Sequence, residues 1–363
     1  MSKKAAIPSP YSERIAGLRA QMVRRGLDGY LIVNRMDQYW LTGFTGEDGQ
    51  VLLTPRAVVL LTDGRFSEAA DLQAPYARKV VRKTRTPATN AKEIARHKLG
   101  KLGFDPDHVS VADFTALKKL VKPTKLVAAS GLTHAARLLK DAGEVAAIRK
   151  AIDVAEKAFR RLCKWLKPGV TEREVAARLE YEMQMLGAQG PSFSTIVAVG
   201  ANSSLPHYEP GTTVVANGLP ILIDWGARVN WYCSDLTRMI WLGKPPAKMV
   251  EINRIVHEAH DAAIAAVRPG MTANDVDKVA RNHIKKAGYG PAFSHSLGHG
   301  MGLDIHEPPW VRVGSDTVLE PGAVFTIEPG IYLPGVGGVR IEDDVLVTKT
   351  GCEVLTSMTI DKP

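Results

Sequence analysis

KPGVTEREV, residues 167–175, returns 101 positions later as RPGMTANDV, residues 268–276. Each copy sets Pro-Gly ahead of a threonine that is followed three residues on by Glu174 or Asp275, the spacing of a capping box that opens an amphipathic helix. Gly187 answers to Gly288, and after a one-residue slip GPSFS at 190–194 answers to GPAFS at 290–294. One pair of Pro-Gly-x-Thr motifs would carry little weight, but matches spread over about 27 positions imply two related halves. Each half reads as a helix followed by strands, with any shared site at their interface.

Ahead of the repeat the pattern is different. Residues 12–26 begin Ser-x-Arg and carry Ile15, Leu18, Met22 and Val23 at helical spacing before Gly26, which reads as a capped amphipathic helix. Short β-like runs follow at YLIVN (30–34), VLLT (51–54) and AVVLLT (57–62), with helical stretches near 66–73 and 90–98. Alternating helices and strands indicate a small α/β domain over residues 1–130. A long helical segment at about 134–167, stopped by Pro168-Gly169, then opens a second domain over 131–363.

Composition sets limits on the function. With 363 residues, 45% hydrophobic and 23% charged, the chain has ample core volume, and no apolar run reaches membrane-spanning length. The start, MSKKAAIPSPYSER, has two lysines but no apolar stretch after them, so nothing marks secretion and a cytoplasmic location is expected. Cys163, Cys233 and Cys352 are far apart and odd in number, which excludes a disulfide framework and a Cys-x-x-Cys knuckle. The formal charge of +9 is confined to residues 1–128, where 22 Lys and Arg face 12 Asp and Glu; the remainder, with 25 against 26, is balanced. KVVRKTR at 79–85 reads as a strand with a basic outer face. No nucleic-acid-binding module accompanies it, so a solvated surface is the better reading.

The acidic residues of the second domain fall in pairs. ILIDWGARVNWYCSDLTRMIWL, residues 221–242, reads as two strands around a turn near Val229-Asn230, which sets Asp224 opposite Asp235. VFTIEPGIYLPGVGGVRIEDDVLV, residues 324–347, reads as two strands around a loop centred near Gly335; partners then sum to 670, and Glu328 faces Glu342. These acids lie within apolar runs, where an unpaired buried charge is very costly, so cations must neutralise them. Lys and Arg are one source. Four carboxylates converging with a histidine from GHGMGLDIHE at 298–307 are the makeup of a two-metal site. Mn²⁺, Co²⁺, Fe²⁺ and Zn²⁺ are all admissible by ligand type, with Mn²⁺ taken first, and the chemistry expected is hydrolysis by an activated water.

Residues 150–350 resemble the metallopeptidase family with the pita-bread fold, which includes methionine aminopeptidase, Xaa-Pro aminopeptidase and prolidase. IDWG with SDLTR, GHGMGLDIHEPP, TIEPGIY and GVRIEDD occur in family order with family-like spacing. The resemblance implies an α/β N-terminal domain followed by an α+β catalytic domain with an internal pseudo-two-fold repeat. It implies Asp224 as a ligand of one metal, Asp235 and Glu342 as bridging ligands, His299 as a ligand of the second metal, and Glu328 as a terminal ligand and base. His207 in LPHY, His295 in SHSLGH and Arg340 in GVRIED match the proline-specific branch as substrate-binding or catalytic residues, and His306 would point into the substrate cleft.

LTGFTGEDG at 41–49 and LTDGRFSEAA at 61–70 look like the N-terminal domain of bacterial Xaa-Pro aminopeptidases and prolidases, which contributes to dimers. A homodimer acting on proline-containing peptides is therefore implied. One departure stands out. Gly314, with Arg312 two residues away, occupies the place where many relatives carry an arginine that grips a dipeptide's terminal carboxylate. That favours an Xaa-Pro aminopeptidase over a strict Xaa-Pro dipeptidase. A metal-free binding module and a nucleic-acid-binding N-terminal domain are the remaining readings. His257 and His260 lack the spacing of a His-Glu-x-x-His motif, and His97, His108, His134 and His283 read as surface residues.

Overall fold

The structure is a computed structural model that describes residues 6–83 and 86–358, in two compact units that divide between Arg137 and Leu138. The first unit opens with α1 (Tyr11–Arg24), which buries Ile15, Leu18 and Met22 and leaves Val23 exposed. Ser12 does not cap it. Pro10 holds the N-cap position without a side-chain bond, while Ser9 Oγ donates to the Glu13 carboxylate.

Six strands follow, β1 (Gly29–Ile32), β2 (Gly49–Leu53), β3 (Val58–Thr62), β4 (Arg78–Val81), β5 (Lys101–Phe104) and β6 (Lys125–Ala128). They form one mixed sheet in the order β4-β3-β2-β1-β5-β6. Helices α2 (Arg35–Thr42), α3 (Ser67–Gln73), α4 (Thr86–Arg96), α5 (Val111–Leu120) and α6 (Leu132–Arg137) connect them. The basic run at 79–85 contributes Lys79–Val81 to β4, and its residues 84–85 lie outside the described residues, as do residues 1–5 of the N-terminal stretch.

The expected helix over 134–167 is two helices. Arg137, at the end of α6, is drawn onto the buried Asp37 at 2.7 Å, and the chain turns before Asp141 starts a new helix with its own capping box. That ion pair and the Asp37–Thr133 hydrogen bond tie α6 to the first unit, which moves the division from residue 130 to Arg137.

The second unit has the pita-bread fold, and its two halves repeat each other in backbone detail. In the first, α7 (Ala142–Trp165) and α8 (Glu172–Met185) pack on β8 (Ile196–Val199) and β9 (Pro220–Trp225). In the second, α9 (Ala247–Ala266) and α10 (Ala273–Lys286) pack against β13 (Gly298–Gly300), β14 (Glu307–Val311), β15 (Val324–Ile327) and their neighbours. Thr171 bridges Val214 and Thr272 bridges Val318. Each threonine accepts from the backbone three residues on, at Glu174 and Asp275. Glu174 completes a reciprocal capping box; the shorter Asp275 gives only the forward half. Gly187 and Gly288 both adopt positive φ after their helices, at 99° and 89°. The matched GPSFS and GPAFS segments diverge, the first beginning as the short β7 (Gly190–Pro191) and the second as a 3-10 turn.

The first acidic hairpin has a different register from the one expected. β9 runs through Gly226 into β10 (Ala227–Val229), turns, and returns through β11 (Tyr232–Cys233) into β12 (Leu236–Trp241). Val229 pairs with Tyr232 around Asn230-Trp231, both at positive φ, a two-residue turn of the primed kind. Asp224 therefore lies opposite Thr237, not Asp235. The shift is an even number of residues, so Asp235 keeps the face of Asp224 as its diagonal neighbour. The second hairpin is as read. β15 pairs with β18 (Asp343–Val347), and β16 (Gly330–Leu333) pairs with β17 (Gly337–Arg340), every pair summing to 670. Glu328 and Glu342 sit in the break between these two ladders, where Glu342 bridges instead to Thr237 and joins the two hairpins. β19 (Cys352–Val354) completes the outer sheet.

Candidate metal centre

Five side chains come together where the hairpins meet. Asp224 is near the end of β9, Asp235 just ahead of β12, His299 in the middle of β13, Glu328 just past β15, and Glu342 between β17 and β18. All five line one cavity of about 610 Å³ in the second unit. Ligand atoms of Asp235, His299 and Glu342 lie within 4.8 Å of one another. His299 Nε2 is 3.6 Å from Asp235 Oδ2 and 3.5 Å from Glu328 Oε1. Its other nitrogen, Nδ1, is 3.1 Å from the Gly300 carbonyl, which fixes the proton there and leaves the Nε2 lone pair for the cluster.

Glycine makes this approach feasible. A Cβ on Gly298 would overlap the Thr326 carbonyl, and one on Gly300 the Pro308 carbonyl, so β13 slides between its neighbours only without side chains at these positions. Gly302 is tight only against the Glu307 and Lys140 side chains.

A layer of hydrogen bonds aims the carboxylates. Thr237 Oγ1 donates to Glu342 Oε2 at 2.6 Å, and Thr326 Oγ1 is 3.3 Å from Glu328 Oε1. Arg340 Nη2 donates to Asp224 Oδ2 at 2.6 Å, Nη1 to the Tyr332 hydroxyl at 2.9 Å, and Nε to Thr237 Oγ1 at 3.0 Å. Tyr332 in turn lies 2.9 Å from His295 Nε2. Asp344 accepts from the Asp235 backbone N–H, and Arg238 pairs with Asp343 at 2.6 Å behind it. Thr237, Thr326 and Tyr332 escape a reading based on charge alone. Thr237 is two residues from Asp235, so strand alternation signals its shared face.

The electrostatics favour added positive charge among the carboxylates, a proton or a cation. Burial, then the Glu342 and Asp224 charges, holds the Asp235 carboxyl well above the usual range; burial, then Glu328 and Asp224, does the same to Glu342. Burial also raises Asp224, against the pull of Arg340, and pushes Glu328 up to about 8. The imidazoles move the other way. Burial and His306 take His299 down to about 4, and burial with Arg340 takes His295 down to about 3. A neutral imidazole is the ligating form. Asp224 Oδ1 is buried without a hydrogen-bond partner, and Arg340 is the only Lys or Arg among the described lining residues. An orphaned oxygen, crowded carboxylates and a free imidazole lone pair fit divalent metal ions.

The remaining candidates are also at the cavity. His207, His295 and His306 line it, with the His306 ring centroid 4.4 Å from that of His299. Gly314 and Arg312 do not. Gly314 sits on an exposed turn with φ 79°, and Arg312 is exposed beyond the strand end. The strand residue that does reach the cavity is Trp310, which pairs directly with His299. His257 and His260 are buried in α9, His260 lying 3.1 Å from Asp343. His97, His108, His134 and His283 are half-buried, not surface residues. Cys233 is buried packing, its thiol pushed up to about 11 by burial.

The chain is similar to known proteins over most of its length. Residues 146–349 match the model of metallopeptidase family M24, and residues 14–139 that of the creatinase/prolidase N-terminal domain. A solved structure titled as an Xaa-Pro dipeptidase from Bacillus anthracis superposes with a TM-score of 0.94 at 38% identity, covering 97% of this chain and 99% of that one. The X-Pro aminopeptidase of Thermotoga maritima gives 0.88 at 36% identity, with 94% and 99% covered. The Xaa-Pro dipeptidase of Pyrococcus horikoshii is 36% identical over 351 residues, 95% of this chain and 97% of the relative.

Proposed function

The chain belongs to metallopeptidase family M24, and from that premise we propose that it hydrolyses the bond between an N-terminal residue and a following proline, with Xaa-Pro dipeptides as the first substrate class. The observation that carries this reading is the meeting of four carboxylates and the His299 lone pair at one cavity, where the only guanidinium among the described lining residues is already committed to Asp224. Relatives named Xaa-Pro dipeptidase support the dipeptide form over the aminopeptidase form expected from the sequence. The aminopeptidase form keeps the support of the Thermotoga relative's name and of a cavity with no uncommitted Lys or Arg among the described lining residues to grip a terminal carboxylate.

In this reading Asp224, Asp235, His299, Glu328 and Glu342 hold two divalent ions, manganese first, with cobalt, zinc and iron as alternatives. Such ions, when bound, supply Lewis acidity at the scissile carbonyl and acidify the attacking water. Glu328, whose carboxylate lies 3.5 Å from His299 Nε2 on the cavity wall, would take the proton the water gives up. His306, a lining residue whose ring packs against that of His299, donates a hydrogen bond to the oxygen that gains charge, and His207 passes a proton to the departing proline nitrogen. Arg340 and Tyr332 hold Asp224 and His295 in place. A homodimer is part of the same proposal, supported by the match of the first unit to the creatinase/prolidase N-terminal domain, and a cytoplasmic location is proposed from the sequence alone.

The test is an assay of purified protein with Mn²⁺ on Ala-Pro, Ala-Pro-Phe and Ala-Ala. Cleavage of the proline peptides well ahead of Ala-Ala is expected. Equal cleavage of Ala-Ala, or no cleavage of any peptide by metal-loaded protein, would overturn the reading.

A further inference from the structure

Trp310 is an unusual residue to find beside a cluster of carboxylates. It lies directly across the β13–β14 ladder from His299, so the two side chains share a face with Cβ atoms roughly 4.5–5.5 Å apart. It remains 40% exposed although it lines the cavity, and so offers an indole face where substrate passes. Phe193, from the loop ahead of β8, and Tyr208 supply further aromatic surface to the same lining. The Tyr208 hydroxyl is held by Glu172 and Asn202, which keeps that ring in place.

The charges in the cavity fit an uncharged group at the same position. Arg340 is the only Lys or Arg of the described lining, buried and engaged by Asp224, Tyr332 and Thr237. Glu209, exposed among the lining residues, adds an anion. A free α-carboxylate entering here finds no guanidinium to grip it, whereas an apolar ring or side chain finds an aromatic wall.

Resting on the reading that proline peptides are the substrates, we propose that Trp310 is a specificity-determining residue. It stacks on the leaving side of the scissile bond, so that the protein takes prolyl amides and peptides continuing with an apolar residue as readily as free Xaa-Pro dipeptides.

The experiment compares kcat/KM for Ala-Pro, Ala-Pro-NH2, Ala-Pro-Phe and Ala-Pro-Asp in the metal-loaded wild type, Trp310→Ala and Trp310→Phe. Calorimetry of the product peptide Pro-Phe is run on the same three proteins. In the wild type, the amide and Ala-Pro-Phe are expected within about fivefold of Ala-Pro, and Ala-Pro-Asp below all three. Trp310→Ala is expected to raise KM for Ala-Pro-Phe about tenfold with kcat little changed, and to weaken Pro-Phe binding by a similar factor. Trp310→Phe is expected to restore most of both. A wild type that cuts Ala-Pro but cuts the amide and Ala-Pro-Phe more than about fiftyfold less well overturns the proposal and leaves the proline-peptide reading standing. So does a Trp310→Ala variant with unchanged KM and unchanged Pro-Phe binding. If no proline peptide is cut, the underlying reading fails first, and the inference with it.

Discussion

Arg340 and Asp224 form a 2.6 Å ion pair on the wall of a cavity that Asp235, Glu328 and Glu342 also line, and the same guanidinium bonds Tyr332 and Thr237. Arg340 thus fixes one proposed ligand, Asp224, directly and reaches a second, Glu342, through Thr237. Removing one partner of a buried pair leaves the other uncompensated, at a cost of about 3–5 kcal/mol. Arg340→Met is expected to lose stability of that order in urea denaturation at pH 8 with chelator present. A loss below about 1 kcal/mol would show that the pair is not holding the site.

Tyr332 is the link between Arg340 and His295. The His295 Nδ1 proton goes to the Ser296 carbonyl at 2.7 Å, so Nε2 accepts from the Tyr332 hydroxyl, which accepts from Arg340. Tyr332→Phe is expected to cost about 1–3 kcal/mol, because the half-buried His295 Nε2 loses its hydroxyl partner and buried Arg340 Nη1 keeps only the Pro206 carbonyl. Removing such an outer-layer partner is also expected to lower kcat/KM by about 10–100-fold. Denaturation and steady-state kinetics on the same preparation check both; full activity in the variant would remove the chain from the account.

Gly226 and Gly298 stand where neighbouring backbone leaves no room for a side chain. A Cβ on Gly226 would overlap the Ser234 carbonyl and one on Gly298 the Thr326 carbonyl. Each alanine substitution is expected to destabilise by about 1–3 kcal/mol or more and to lower metal occupancy, by displacing Asp235 and His299 respectively. Gly314→Ala, at an exposed turn, is the control, and it is expected to leave occupancy unchanged.

The metal-free protein is expected to weaken as pH rises. Asp224, Asp235, Glu328 and Glu342 all bind a proton more tightly in the folded chain than in the unfolded one, where carboxyls titrate near 4. Their stabilisation is fully present below that value and is lost as pH climbs through the folded values, about 8 for Glu328. Scanning calorimetry with chelator from pH 5 to pH 9 should show a falling Tm, and excess Mn²⁺ should reverse the fall at the alkaline end. A chelated Tm that rises over this range would contradict the electrostatics.

Much of this arrangement was readable before any coordinates, and the failures have local causes. The second acidic hairpin was placed in register because its Pro/Gly-rich loop is centred on Gly335, which adopts φ 75°. The first was misplaced by an even step because its turn uses Trp231 at positive φ, a conformation bulky residues seldom take. Alternation saved the face but not the partner.

The break at Asp141 was hidden by good helix formers on both sides, although Asp141 and Glu144 carry the capping-box spacing. α2 was overlooked despite Asn34 accepting from Met36 and Asp37 and Gly43 ending it at φ 74°. Trp310 was out of reach for a different reason. An irregularity between His299 and Gly300 shifts the β13–β14 register, so counting along the strands does not bring Trp310 to His299.

The central claim, that these five side chains are a dinuclear ligand set, is tested most directly by metal titration of chelator-stripped protein, with calorimetry and elemental analysis read together. The account predicts two Mn²⁺ per chain in the wild type and loss of at least one in each of Asp235→Asn, His299→Ala and Glu342→Gln. A wild type that takes up fewer than two ions, or variants that keep both, would contradict it.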